Sequence, residues 1–215
     1  VPPLKSKPKL KPLKERERVF ENLVASIKNN NYALTSGDIG YHFLVRILSE
    51  NGRSDILYKM NNRSDRPGYG YQLRQGATAL SESWAALKSS SNNHMMLGHL
   101  MEWFYSGLGG IYQSEKSVGY KDIIIAPKTV GDLTWVKCSY NSVKGIISSE
   151  WEKVDNSFIL DVEIPKEVTA TIQIPEDYKM PKCELINKIS QTSMMKNTEN
   201  GLLKLTEGKY RIVVK

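Results

Sequence analysis

Apolar positions recur every three to four residues over the first half of the chain and gather into short β-branched runs over the rest. The first pattern is that of helices with one buried face, the second that of strands. Helical spacing runs over about 14–29 (KERERVFENLVASIKN), 38–50 (DIGYHFLVRILSE), 53–61, 74–88 and 94–106. Between these segments NNN, ENG and RPGYG act as stops, because Gly accepts positive φ and Pro lacks a backbone donor. Five amphipathic helices with short connections predict antiparallel helical hairpins.

After GLGGI (107–111) the pattern changes. DIIIAP, LTWVKCSY, VKGIISSEW, SFILDVEI, EVTATIQI, KCELIN, LLKLTEG and KYRIVV are short β-branched runs separated by turn residues. Their spacing predicts an antiparallel sandwich of about seven to nine strands, with hairpin turns at SVKG (142–145) and KVDNS (153–157). The chain therefore divides into a basic, Pro-rich lead-in (1–14), a helical unit (15–108) and a β unit (109–215).

The segment QGATALSESW (75–84) raises a chemical question. As part of a helix over 74–88, it sets Leu73, Ala77, Leu80, Trp84 and Leu87 on a core-facing stripe. Glu82 then shares the other side with Thr78, Ala79, Ala85 and Ala86. Such a Glu is either a solvated surface residue or a carboxylate beside space left for a ligand.

Charge alters this picture little. The net charge is +7 over 215 residues, and the first 18 residues carry seven Lys or Arg against two Glu. A local Lys/Pro-rich run reads as a solvated linker, and no zinc-knuckle, helix-turn-helix or RNP pattern accompanies it. We expect no nucleic-acid partner. No run of 18 apolar residues exists, so no membrane span is expected, and the first residues lack the apolar core of a signal peptide. Cys138 and Cys183 fit no metal-ligand spacing and form no disulfide framework. No cofactor and no metal are expected.

Eight residues after Glu82 begins SSNNHMMLGHLMEWFYSGLGGI (90–111), with His94 twelve residues after Glu82. Ser and Asn are good N-caps, which predicts His94 in the first turn of the next helix, where the helix dipole disfavours imidazolium. The alternative is a satisfied polar residue at a helix start. A carboxylate, an imidazole and aromatic walls facing one cavity would suit a sugar, whose hydroxyls need fixed partners and whose apolar face stacks on rings. Tyr69, Tyr71, Trp84 and Trp103 are candidate walls, with core packing as the plainer role. His99 lies five residues past His94, not the four a helical two-His metal pair needs. GxSxG, P-loop and GxGxxG patterns are absent.

TSGDIGYHFLVRILSENGRSDILY, RPGYGYQLRQGATALSES and SSNNHMMLGHLMEWFYSGLGGI together resemble the end of the catalytic barrel of bacterial α-L-rhamnosidases, glycoside hydrolase family 78. Gly76, Ala77, Thr78 and Glu82 match the family's Gly-Ala-Thr-Thr-x-Trp-Glu motif. Ser91, Asn93 and His94 match its Ser-x-Asn-His motif. IIIAPKTVGDLTWVKCSYNSVKGIISSEW resembles the start of the family's C-terminal β-sandwich. The resemblance covers most of residues 15–175. Ala79 stands in place of the second Thr and Ser81 in place of Trp, and the Glu-to-His connection is shorter than in many members.

The resemblance implies an α+β multidomain fold, with partial (α/α)6 toroid helices followed by an antiparallel, jelly-roll-like β-sandwich. It implies an inverting hydrolase of terminal α-L-rhamnose with Glu82 as general base and His94, Asn93 and Tyr69 at the sugar. The general acid would come from an N-terminal part of the same enzyme, so the fragment alone would be inactive. A rhamnose-containing glycan is the implied partner, and a periplasmic or secreted parent protein the implied location. An incomplete barrel exposes apolar faces, which predicts self-association. The alternative function is a non-catalytic carbohydrate-binding or structural module.

Overall fold

The computed structural model describes residues 13–178 and 182–215, so residues 1–12 of the basic lead-in lie outside the described residues. Helices α1 (Leu13–Asn29), α2 (Asp38–Glu50) and α3 (Ser54–Asn61) follow the apolar periodicity closely. On α2, Tyr41, Val45 and Leu48 are buried at offsets 0, 4 and 7, the stripe expected of one core-facing side. They meet Val24 and Ile27 of α1 and Ile56, Leu57 and Met60 of α3.

The helix expected over 74–88 does not form. Helix α4 is Tyr69–Arg74 and ends in a Schellman arrangement: the Ala77 amide donates to Gln72 O at 3.0 Å and the Gly76 amide to Leu73 O at 3.0 Å. Gly76 holds φ at +81°, a backbone state that L side chains rarely adopt. The stripe drawn through 73–87 fails with the helix, and Leu73 and Leu87 stand 71% and 55% exposed. The helical run resumes with a 3₁₀ turn (Met95–His99), continues as α5 (Leu100–Trp103) and closes as a π turn (Phe104–Leu108).

Ten strands follow among the described residues: β1 (Ile111–Gln113), β2 (Asp122–Ile125), β3 (Trp135–Ser142), β4 (Gly145–Val154), β5 (Ser157–Ile164), β6 (Thr169–Gln173), β7 (Lys182–Asn187), β8 (Thr192–Asn197), β9 (Leu202–Leu205) and β10 (Gly208–Val214). They form a four-stranded sheet, β1-β2-β6-β9, and a six-stranded sheet, β3-β4-β5-β10-β7-β8. The expectation of seven to nine strands missed β1 and β8. Strand β8 is exposed at every position, so it carries no alternation to read. One pair, β2 with β6, is parallel; every other pair is antiparallel. The two predicted hairpin turns form, and Asp155 takes φ +51° in the second.

The sandwich core lies between the sheets. Strand β5 alternates, burying Phe158, Leu160, Val162 and Ile164, and they meet Ile123, Ile125, Ala170 and Ile172 of the smaller sheet. The helical and β parts are joined by specific contacts. The Trp151 indole donates to Leu108 O at 2.8 Å, and the Ala126 amide donates to Gly110 O at 2.8 Å. A Cβ on Gly110 would sit 2.2 Å from the Ala126 carbonyl carbon, so only glycine allows this approach. Leu133 and Val136 pack against both cores.

Candidate active site

Residues 75–94 form an irregular loop rather than a helix, and backbone bonds close it. The Glu82 amide donates to Ser91 O at 2.8 Å and the His94 amide donates to Leu80 O at 2.9 Å. Segments 80–82 and 91–94 therefore run side by side, and the chain between them is a compact surface loop with its ends pinned together. Glu82 and His94, twelve residues apart in sequence, stand on these adjoining segments.

Glu82 is exposed, and its Oε2 accepts from the Ser91 amide at 3.3 Å. Among the described residues Oε1 has no protein partner. The small neighbours Thr78 and Ala79 are also exposed, but as loop residues. Ser81, which replaces the motif tryptophan, is 1% exposed and points into the packing beneath.

His94 is part-buried and immediately precedes the 3₁₀ turn. The expected first-turn position in a regular helix is not adopted, so the dipole argument loses its basis. The imidazole instead faces a carboxylate: Nε2 lies 3.2 Å from Asp38 Oδ2. Asp38 opens α2, and its Oδ1 accepts from the Ile39 amide at 2.8 Å. The Ile39 amide and then the His94 ring hold the Asp38 carboxyl below the usual aspartate range. Sequence reasoning did not single out Asp38; it stands 56 residues from His94, and no spacing rule joins them.

The loop rests on an aromatic cluster. Tyr41, Tyr69 and Trp84 meet edge to face, with centroids 5.1 Å apart for both tyrosines against Trp84 and 6.1 Å for the tyrosine pair. The Trp84 indole donates to Ser36 O at 2.8 Å, and the side-chain Nε2 of buried Gln72 donates to Ser83 O at 2.8 Å. Tyr69 is half-buried, and its hydroxyl donates to Leu97 O. Burial pushes its phenol up to about 12, so it remains a protonated donor. Asn93 is exposed, and its amide donates to Ser91 Oγ at 3.3 Å. Trp103 is 2% exposed, in the helical core, and its indole donates to Ser54 Oγ at 2.9 Å.

Two grooves flank the helical unit. One of about 560 Å³ lies against α1 and α2, lined by Leu23, Ile27, Phe43 and Ile47. The other, about 1030 Å³, lies between the helices and β3 and includes Tyr69, Trp103 and Trp135. Neither includes Glu82 or His94. Among the described residues no group of three or more His, Cys, Asp or Glu could hold a metal ion.

Two family models match the sequence that folds in this way. Residues 7–108 match the bacterial α-L-rhamnosidase six-hairpin glycosidase domain, and residues 110–184 match the bacterial α-L-rhamnosidase C-terminal domain. The chain belongs to the bacterial α-L-rhamnosidase family.

An α-L-rhamnosidase of Streptomyces avermitilis is 28% identical over 172 residues, 76% of this chain and 16% of that protein. One of Formosa agariphila is 32% identical over 171 residues, 75% of this chain and 18% of that protein. The chain thus spans less than a fifth of the length of either curated relative. The crystal structure of the Streptomyces avermitilis α-L-rhamnosidase complexed with L-rhamnose superposes with a TM-score of 0.81 at 25% identity, over 95% of this chain and 20% of that one. The helices described above are thus part of a six-hairpin toroid, and the two sheets form the β-rich C-terminal part of the family fold.

Proposed function

We propose that this chain is the base-bearing part of an inverting α-L-rhamnosidase, with Glu82 as the general base and His94 and Asn93 at the sugar. One observation carries the reading: the closure of segment 80–82 against 91–94 brings the two motif regions together. The family membership and the relative's complex with L-rhamnose support the substrate class.

The chemistry follows from the donor set. Inversion needs one carboxylic acid to protonate the leaving oxygen and one carboxylate to activate water on the other face of the ring, about 6.5–9.5 Å away. Glu82 has one oxygen held by the Ser91 amide and the other open to take a proton from water. Exposure leaves room for that water. His94, held by Asp38, and Asn93 offer hydrogen-bonding groups for sugar hydroxyls. Tyr69 lies behind the loop and supports it through the aromatic cluster. The acid is supplied by parts of the enzyme beyond these 215 residues, so this chain alone does not turn over.

The test is hydrolysis of an aryl α-L-rhamnoside by the full-length protein and by this chain, with ¹H NMR of the first-formed sugar. Release of β-L-rhamnose by the full-length protein alone is expected. First-formed α-L-rhamnose would overturn inversion, and turnover by the chain alone would overturn the missing acid.

A further inference from the structure

The Asp38–His94 contact fixes more than the position of a ring. We infer that Asp38 is a positioning residue that commits the Nε2 proton of His94 to itself, so that His94 meets the substrate through an unprotonated Nδ1 acting as acceptor. This rests on the placement of His94 at the sugar proposed above.

A neutral imidazole carries one N–H and one lone pair, and the partner of one nitrogen decides the role of the other. An ionised carboxylate only accepts. With Asp38 Oδ2 at 3.2 Å, Nε2 must be the donor. Asp38 cannot turn away without loss, because its other oxygen takes the Ile39 amide at 2.8 Å. Each carboxylate oxygen therefore has one task, and both are set by the first turn of α2. Among the described residues Nδ1 has no hydrogen-bond partner. It is left with a lone pair for a group that can donate.

The consequence is a choice of ligand chemistry. A free sugar hydroxyl donates to Nδ1; an ether oxygen at the same place cannot. The subsite served by His94 is thus expected to accept a free hydroxyl and to reject the O-methylated sugar.

Asp38→Asn tests this while keeping shape. The Asn oxygen can still take the Ile39 amide, which leaves its NH₂ facing Nε2 and moves the ring proton to Nδ1. With ¹⁵N-labelled histidine the three rings of this chain are few enough to assign. We expect the proton of neutral His94 on Nε2 in the wild type and on Nδ1 in Asp38→Asn. A proton on Nδ1 in the wild type, or an unchanged tautomer in the variant, would overturn the inference. Asp38→Ser is the second variant, since its hydroxyl can still cap Ile39 but is too short to hold the ring. In the full-length enzyme either variant should raise KM about tenfold, the worth of one hydrogen bond, with a smaller change in kcat. Adding either to His94→Ala should cost nothing further, whereas additive losses would show that Asp38 acts independently of His94. If the full-length protein cleaves no α-L-rhamnoside, the proposed function fails, and the ring-nitrogen spectra still decide what Asp38 does to His94.

Discussion

The indole Nε1 of Trp84 donates to the carbonyl oxygen of Ser36 at 2.8 Å, across 48 residues of sequence. This bond fastens the loop that carries Glu82 to the segment leading into α2, where Asp38 sits two residues on. The two halves of the candidate site are therefore mechanically linked.

Trp84→Phe keeps the ring packing against Tyr41 and Tyr69 and removes the donor. A loss of about 1 kcal/mol in stability is expected from one hydrogen bond. The drop should appear in urea unfolding, with an unchanged denaturant slope. An unchanged midpoint would show that the bond contributes nothing.

Gly76→Ala tests why α4 stops. Alanine in a left-handed conformation costs about 1–2 kcal/mol, and nothing within 4 Å would clash with its Cβ, so the loss measures backbone strain alone. A stabilising effect, as expected of Ala inside a helix, would mean that the helix continues past residue 76.

Apolar side chains on α1 and α2 should drive association of the isolated chain. Val19, Ile39 and Phe43 are 54%, 65% and 63% exposed, and Phe43 also lines the groove with Ile47. Sedimentation should show mass rising with concentration, reduced by Ile39→Ser with Phe43→Ser. A monodisperse wild-type monomer at all concentrations would contradict this.

Asp38 gives a pH dependence with a definite sign. Its carboxyl titrates lower in the folded protein than in the unfolded chain, because the Ile39 amide and the His94 ring favour the charged form. The unfolded state then binds more protons, and the contribution is present above the unfolded value and lost as pH falls through the folded one. Acid titration of the Asp38 carboxyl by NMR should give a midpoint below that of an ordinary aspartate. The acid-side loss of stability should be shallower in Asp38→Asn.

How far the sequence could be read depended on where periodicity operates. Helix α2 was legible over its whole length because Tyr41, Val45 and Leu48 obey one buried stripe. Strand β5 was legible because SFILDVEI is a short apolar run bounded by turn residues, and the 153–157 turn because Asp155 accepts positive φ. The helix across 74–88 was misread because its apolar spacing is real while Gly76 blocks propagation. Gly76 following Arg74-Gln75 was the signal that outranked the stripe. At the site, Glu82 stood out by its small neighbours and His94 by the Ser and Asn before it, and the motif resemblance decided between their bland and chemical readings. Asp38 was invisible because its role depends on a contact made only when α2 packs beside residues 94–99.

Turnover of an aryl α-L-rhamnoside by full-length Glu82→Gln tests the general-base role of Glu82 most directly. Glutamine keeps the shape and can still accept from the Ser91 amide, but it cannot take a proton from water. General-base catalysis contributes roughly 10²–10⁴-fold, so kcat should fall by that order while KM changes little. Wild-type kcat in Glu82→Gln would show that Glu82 is not the general base.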